Sequence, residues 1–189
     1  MRTGEGKRLY IMKTAILDIV SIVVLVIILF FGVQFSVQRY VVDGPSMLQT
    51  FHDKQMLMIN KIFYYLHEPK RGDVIVFQMD ELSETAYIKR VIGLPGETVE
   101  VKDGVVYVTR TDGKVLKLDE PYVADPARAG FNGEKIPENE YFVMGDNRND
   151  SSDSRTGWTV PRESIIGKAW ISLSFNSFGL IENYAYAGN

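Results

Sequence analysis

The chain has 189 residues and nearly balanced charge, with 21 Lys and Arg against 24 Asp and Glu. This composition has neither the basic excess typical of nucleic-acid binding nor the acidic excess typical of disorder, so we expect no nucleic-acid partner. Cysteine is absent, which excludes disulfides, thiol nucleophiles and cysteine-ligated metals.

A membrane anchor is predicted near the N-terminus. Residues 16–35 are almost continuously apolar, with Asp18 as their one charge, and about 20 such residues suffice to cross a bilayer as a helix. The basic side chains that precede this run are Arg2, Lys7, Arg8 and Lys13. Because basic flanks favour the cytoplasmic side, we expect residues 1–15 in the cytoplasm, 16–35 in the membrane and 36–189 outside.

Two alternatives to an anchor are a cleavable signal peptide and a buried core helix. The apolar run is longer than the usual core of a signal peptide, and no A-x-A site follows it. A core helix that is apolar all round would need cover on every side from a small domain.

The remainder of the chain is predicted to be all-β, with antiparallel strands. Short apolar runs bounded by turn residues lie at 56–60, 73–79, 86–92, 98–102, 105–109, 115–118, 140–144 and 165–172. Asp103-Gly104 predicts a two-residue hairpin turn, in which both residues have positive φ. The segment at 61–66 is a modest helix candidate, and residues 121–139 are predicted to be a surface connection.

The first candidate for chemistry is Ser46, in the sequence Gly44-Pro45-Ser46-Met47 directly after the anchor. A turn of this composition can expose the hydroxyl and leave the Ser46 N–H free to stabilise an oxyanion. The same residues are also typical of a turn with no catalytic role.

The second candidate is Lys89, within the predicted strand at 86–92. Strand alternation puts Tyr87 and Val91 on the same face as the lysine. If that face is buried, desolvation disfavours the ammonium and lowers the lysine pKa towards a range in which the neutral amine accepts a serine proton. A solvated strand lysine is the alternative.

The third segment, residues 145–155, is rich in small, charged and hydrogen-bonding side chains. It is suited to a polar network that orients a lysine, and also to a solvated loop or a cation-binding loop. The spacing of an EF-hand is missing, which argues against a calcium loop of that kind.

Together these segments resemble the type I signal peptidases, in particular the compact Gram-positive form. The matching blocks are GPSM at 44–47, YIKRVIGLPGE at 87–97, GDNRNDSSDSR at 145–155 and WTVPRESIIGKAW at 158–170. The resemblance implies an all-β, membrane-bound serine endopeptidase without cofactor or metal. Its expected substrates are exported preproteins, whose signal peptides bind as an added strand and are cleaved after small residues, in A-x-A sites.

The resemblance also implies roles for individual residues. Ser46 corresponds to the nucleophile and Lys89 to the general base, and the Ser151 hydroxyl is expected to bond that lysine. The remaining supporting residues that it implies are Arg90, Asp146, Asp153 and Arg155.

The chain departs from the family pattern at two positions near the serine. Gly44 stands where some members carry a serine that donates to the oxyanion, so the Ser46 N–H is expected to act without that hydroxyl. Gln49 replaces a proline often found three residues after the nucleophile, which alters the stiffness expected of this loop.

Two other functions are compatible with parts of the sequence. A membrane-anchored β domain that binds peptides without catalysis would use the three segments only as structure. A self-cleaving Ser-Lys protease of the repressor type shares the chemistry, but such proteins carry a DNA-binding helix pair where this chain has an apolar run.

The C-terminal aromatic residues admit two interpretations. Trp170 is predicted to lie in the core. Core packing and a place at the membrane interface both remain open for Phe175, Phe178, Tyr184 and Tyr186.

Overall fold

The computed structural model describes residues 3–79, 85–174, 177–182, 184 and 186. The chain divides into two compact units, residues 1–37 and residues 38–189. The first unit consists almost entirely of one helix, α1 (Thr3–Ser36).

The helix α1 is long and apolar enough to cross a membrane over Tyr10–Ser36. That stretch of 27 residues would be about 40 Å long, which exceeds the hydrocarbon thickness of a bilayer. None of its most apolar window is buried by protein, as expected for side chains whose solvent is lipid. The helix continues without a break across residue 16, where the sequence places the start of the membrane span; the limits of the span itself stay a prediction.

The second unit is built from antiparallel strands and confirms the predicted all-β class. In chain order the elements are β1 (Val37–Val41), β2 (Met56–Asn60), α2 (Phe63–Leu66), β3 (Val74–Phe77), β4 (Tyr87–Gly93), β5 (Thr98–Lys102), β6 (Val105–Thr109), β7 (Val115–Lys117), β8 (Phe131–Lys135), β9 (Glu140–Met144), β10 (Val160–Pro161), β11 (Ile165–Ser172) and β12 (Gly179–Leu180). Single 3₁₀ turns occupy Ser154–Thr156 and Arg162–Ser164.

These strands form two sheets. The larger sheet has the order β1-β2-β11-β3-β4-β9-β10, and β12 pairs with β11; the smaller sheet has the order β7-β6-β5-β8. Asp103 and Gly104 both have positive φ, and Lys102 pairs with Val105, so the predicted two-residue hairpin turn is confirmed.

Four strands of the described residues were missed by the sequence interpretation: β1, β8 and the two-residue strands β10 and β12. β8 lies inside the segment predicted to be a surface connection, and its sequence FNGEK lacks apolar alternation. It forms because β5 offers it a free edge, an interaction that no local pattern reports. β1 begins directly after the last residue of α1. Its short apolar pattern therefore looks like the end of the apolar anchor run and does not stand out as a strand.

Both faces of β3 and β4 are covered by protein. Val74, Val76 and Ile88 pack in a core cluster with Met47, which adjoins Ser46, and Ile75 and Val91 belong to a second cluster. The central position of these strands explains why two charged residues of β4, Lys89 and Arg90, are only 4% and 0% exposed.

The predicted core position of Trp170 is wrong, because its side chain is 43% exposed. Ile165, Gly167 and Ala169 of β11 are buried, so strand alternation puts Trp170 on the other, exposed face. Tyr186 is buried in a core cluster, whereas Phe178 is exposed. Phe175 lies outside the described residues.

Candidate active site

The turn that carries Ser46 is fixed by its own backbone and by its apolar neighbours. The Gly44 N–H donates to Asp53 Oδ1 at 2.9 Å, and the Leu48 N–H donates to the Pro45 carbonyl at 2.9 Å. Met47 is fully buried. Ser46 is therefore half-buried on a turn whose next residue is fixed in the core.

Lys89 reaches Ser46 directly. The Lys89 Nζ lies 2.7 Å from the Ser46 Oγ, and it also donates to the Ile88 carbonyl at 3.0 Å. In the part of the chain that the structure describes, no carboxylate forms an ion pair with this amine. The lysine is therefore buried without the counter-ion that a structural lysine usually has.

The burial of Lys89 changes its acidity. Burial lowers the pKa of Lys89 from 10.5 to about 8, although the charges of Asp153 and Asp146 act in the opposite direction. A measurable fraction of the amine is therefore neutral near physiological pH. A neutral amine at hydrogen-bond distance from a hydroxyl is the arrangement that general-base catalysis requires.

Arg90 and Asp146 form a fully buried ion pair behind the serine. The guanidinium donates to both carboxylate oxygens at 2.9 and 2.6 Å, and also to the Gly72 carbonyl at 2.9 Å. The Thr50 hydroxyl donates to the same carboxylate. Since Thr50 lies four residues after Ser46, one ion pair joins the strand of Lys89, the turn of Ser46 and the third segment.

Asp153 organises the far end of the third segment. Its carboxylate accepts from the Gly145 N–H at 3.0 Å and from two nitrogens of Arg155 at 2.8 Å each. Burial would raise the pKa of Asp153, but the hydrogen bonds and charge of Arg155 outweigh burial and hold the pKa below its usual value. Asp146 and Asp153 are thus each paired with an arginine of the chain itself.

The Ser151 hydroxyl is buried in the same place but does not make the expected hydrogen bond. Its Oγ has no hydrogen-bond partner within the described residues, so the expected bond to Lys89 is not present. The hydroxyl lies near the Asp153 carboxylate and favours its ionised form, although the geometry falls short of a hydrogen bond. A Cβ on Gly145 would overlap this hydroxyl and the Ser46 carbonyl, so residue 145 must be glycine.

The environment of the oxyanion follows from Gly44 and Ser46. Gly44 has a φ of +88°, a conformation that suits glycine and strains other residues, and it brings no hydroxyl. Within the described chain, no acceptor takes the Ser46 N–H. This N–H is the donor available next to the serine hydroxyl.

Sequence interpretation missed a second buried ion pair, between Arg148 and Glu120. The guanidinium donates to both oxygens of Glu120 at 2.7 and 2.6 Å. Tyr122 lies between the two ion pairs, because its hydroxyl donates to Glu120 while its ring stacks under Arg90 at 4.0 Å. Glu120 and Tyr122 lie near an irregular segment, where no pattern indicates a partner so distant in sequence.

Comparison with known proteins identifies the family. A match to the family described as "Signal peptidase, peptidase S26" covers residues 15–174. The chain belongs to this signal peptidase family. The signal peptidase described here is therefore a serine endopeptidase that cleaves signal peptides and is anchored to the membrane by its N-terminal helix. Membership decides against the alternative of a non-catalytic binding domain.

Two relatives, from Bacillus subtilis and Synechocystis, agree with this membership. "Signal peptidase I S" of Bacillus subtilis is 40% identical over 157 residues, which cover 77% of this chain and 81% of that protein. "Probable signal peptidase I-1" of Synechocystis is 38% identical over 167 residues, which cover 85% and 81%. A solved structure of a signal peptidase I from Enterococcus faecalis is 34% identical and has a TM-score of 0.46, covering 54% of this chain and 97% of that one.

Proposed function

We propose that this signal peptidase cleaves exported preproteins after small residues, in A-x-A sites, with Ser46 as nucleophile and Lys89 as general base. The observation that carries the proposal is the 2.7 Å contact between the Ser46 hydroxyl and a buried lysine amine with a lowered pKa. A hydroxyl is a weak nucleophile unless a base removes its proton, and this amine is the base within reach.

The proposed reaction has two steps. Neutral Lys89 takes the proton of Ser46 as Oγ attacks the scissile carbonyl, and the Ser46 N–H stabilises the resulting oxyanion. The lysine ammonium then gives this proton to the leaving amine, which departs as the new N-terminus of the mature protein. In the second step Lys89 takes a proton from water as the water oxygen attacks the acyl-serine carbonyl, and it returns this proton to Ser46 Oγ as the C–O bond breaks and the signal peptide leaves.

The remaining predicted residues have supporting roles in this proposal. The conformation of Gly44 shapes the approach to Ser46, and the ion pairs Arg90–Asp146 and Arg155–Asp153 hold the walls of the site. The buried Ser151 hydroxyl, which has no partner among the described residues, is available to bond the Lys89 amine during the reaction.

The proposed topology puts the N-terminus in the cytoplasm and the β unit outside, so that enzyme and preprotein meet at one bilayer. Tethering both to the same membrane raises their effective concentration.

The absence of cysteine makes a direct test of this topology simple. Lys114→Cys, in an exposed turn, should react with a membrane-impermeant thiol reagent in intact cells, whereas Lys7→Cys should react only after lysis. The reverse pattern would refute this topology.

The dyad is tested with detergent-purified wild type, Ser46→Ala, Lys89→Ala and the control Lys102→Ala, whose side chain is exposed. The substrate is a preprotein with an A-x-A site, and sequencing of the product N-terminus locates the cut. We expect wild type and Lys102→Ala to cut after the second Ala, and both dyad variants to be inactive but folded. Normal turnover by either dyad variant would refute the assignment.

A further inference from the structure

Asn147 contacts the backbone on both sides of the Ser46 nitrogen. Its side-chain Nδ2 donates to the Pro45 carbonyl at 3.1 Å, and its backbone N–H donates to the Ser46 carbonyl at 3.0 Å. The Pro45 carbonyl and the Ser46 N–H belong to one rigid, planar peptide group. The Leu48 N–H holds the same carbonyl from within the turn, and Asn147 adds a second bond from the third segment, so the two together set the direction of the Ser46 N–H.

We propose that Asn147 is a positioning residue, whose side chain aims and polarises the Pro45–Ser46 peptide so that its N–H stabilises the oxyanion. The inference deepens the proposed function and rests on it, because it takes Ser46 as the nucleophile. A hydrogen bond accepted by a carbonyl also strengthens the donor at the other end of the same peptide.

The structure holds Asn147 firmly enough for this task. Its neighbour Asp146 is locked by Arg90, and the Asp150 N–H donates to the Asn147 carbonyl at 3.2 Å. Lys89 is directly bonded in the chain to Arg90, and Asn147 is directly bonded in the chain to Asp146. One buried ion pair thus fixes the residue that contacts the serine hydroxyl and the residue that contacts the serine backbone.

Gly44 increases the importance of this arrangement. Because residue 44 supplies no hydroxyl to the oxyanion, the Ser46 N–H carries more of the stabilisation, and its direction matters more. Small errors in the placement of catalytic groups reduce rates substantially.

The chain provides a matched control in the same loop. Asn149 Nδ2 donates to the Pro126 carbonyl at 3.0 Å, a bond of the same type and length that does not involve the turn of Ser46. Asn147→Ala removes one such bond, and Asn149→Ala removes one together with the bond that Asn149 Oδ1 accepts from the Arg128 N–H at 3.0 Å. The two variants therefore separate an effect on Ser46 from a general effect on the loop.

The experiment measures kcat and KM of the full-length enzyme in detergent with a preprotein substrate, across pH, at a temperature well below unfolding. We expect Asn147→Ala to lower kcat about tenfold, the effect of losing roughly one hydrogen bond in the transition state, with KM and the pH midpoint unchanged. Asn149→Ala should keep the wild-type kcat. Asn147→Asp, which keeps the size but replaces the donor with an acceptor, should lose at least as much as Asn147→Ala.

The contrary outcomes are distinct. A kcat for Asn147→Ala within twofold of wild type, or an equal loss for Asn149→Ala, would overturn the inference, as would a shift of the pH midpoint, which would show that Asn147 acts through Lys89. If Asn147→Ala fails to fold, the comparison of Asn147→Asp with Asn149→Ala decides in the same way. Activity in Ser46→Ala would instead refute the proposed function itself.

Discussion

Arg90 and Asp146 bond each other through two hydrogen bonds, and neither side chain has any exposure to solvent. Arg90 directly follows Lys89, which contacts the Ser46 hydroxyl, and Asp146 directly precedes Asn147, whose backbone N–H donates to the Ser46 carbonyl. The candidate active site is thus built around a buried charge pair that does not itself reach the serine hydroxyl. This arrangement explains how three segments distant in sequence are kept in one geometry.

Removing one partner of this pair should be costly. Asp146→Ala leaves the Arg90 charge buried without compensation, and we expect a loss of about 3–5 kcal/mol in the free energy of unfolding. Thermal unfolding of the detergent-solubilised enzyme measures this. Lys102→Ala, which breaks an exposed ion pair with Glu100, is the control and should change stability little. Equal losses in the free energy of unfolding for the two variants would show that burial does not increase the contribution of an ion pair to stability.

The activity should depend on pH through Lys89. The base must be neutral, and with a pKa of about 8 roughly a tenth of the amine is neutral at pH 7 and about nine-tenths at pH 9. We therefore expect kcat/KM to rise about tenfold per pH unit at acidic pH and to level off above about pH 8. A rate that stays constant down to pH 5 would exclude Lys89 as the base.

The same lysine should cost the folded state stability. Its pKa is lower in the folded chain than the ordinary 10.5, so protons bind the unfolded state more tightly, and the cost is fully present below pH 8 and disappears as pH rises towards 10.5. Lys89→Met should abolish cleavage yet raise the free energy of unfolding at pH 7 by about 3 kcal/mol. The gain should shrink at pH 10. A Lys89→Met variant less stable than wild type at pH 7 would show that burial of Lys89 does not lower the free energy of unfolding.

Gly145 should tolerate no side chain. The Cβ of Gly145→Ala would lie 2.6 Å from the Ser151 Cβ and would also overlap the Ser46 carbonyl, so that Ser46, the proposed nucleophile, must move. We expect cleavage to fall about 100-fold or more, since displacement of about 1 Å has effects of this size. Gly130→Ala is the control, because its nearest neighbour would be 3.3 Å away and belongs to the smaller sheet. Similar activity in the two variants would falsify the proposed packing.

Gln49 occupies a left-handed backbone conformation with a φ of +86°. Proline, which the family often has here, fixes φ near −65° and cannot adopt this conformation. Gln49→Pro should therefore destabilise the enzyme by about 3 kcal/mol or rearrange the loop, whereas Gln49→Gly should raise stability by up to about 1 kcal/mol. Melting temperatures of the two variants measure the difference. If Gln49→Pro melts at the wild-type temperature, this loop has another conformation in solution.

Local patterns in the sequence determined much of this protein. The apolar run of the anchor, the alternation in β2, β5 and β6 and the turn at Asp103-Gly104 all report interactions between near neighbours, which hydrophobic period and turn chemistry describe directly. The three segments around Ser46, Lys89 and Asp146 could likewise be recognised together, because their residue types match a known family in order and spacing.

The tertiary structure decided what those patterns could not. β11 lies between β2 and β3 although it follows them by about a hundred residues, and β8 exists only because β5 has a free edge. Glu120 bonds Arg148, Asn147 bonds Pro45, and Trp170 lies on the exposed face of β11. These contacts join residues far apart in the sequence, and their free energy comes from burial and geometry in the assembled fold. Local sequence patterns do not show which distant groups will be desolvated together, because that depends on the tertiary structure.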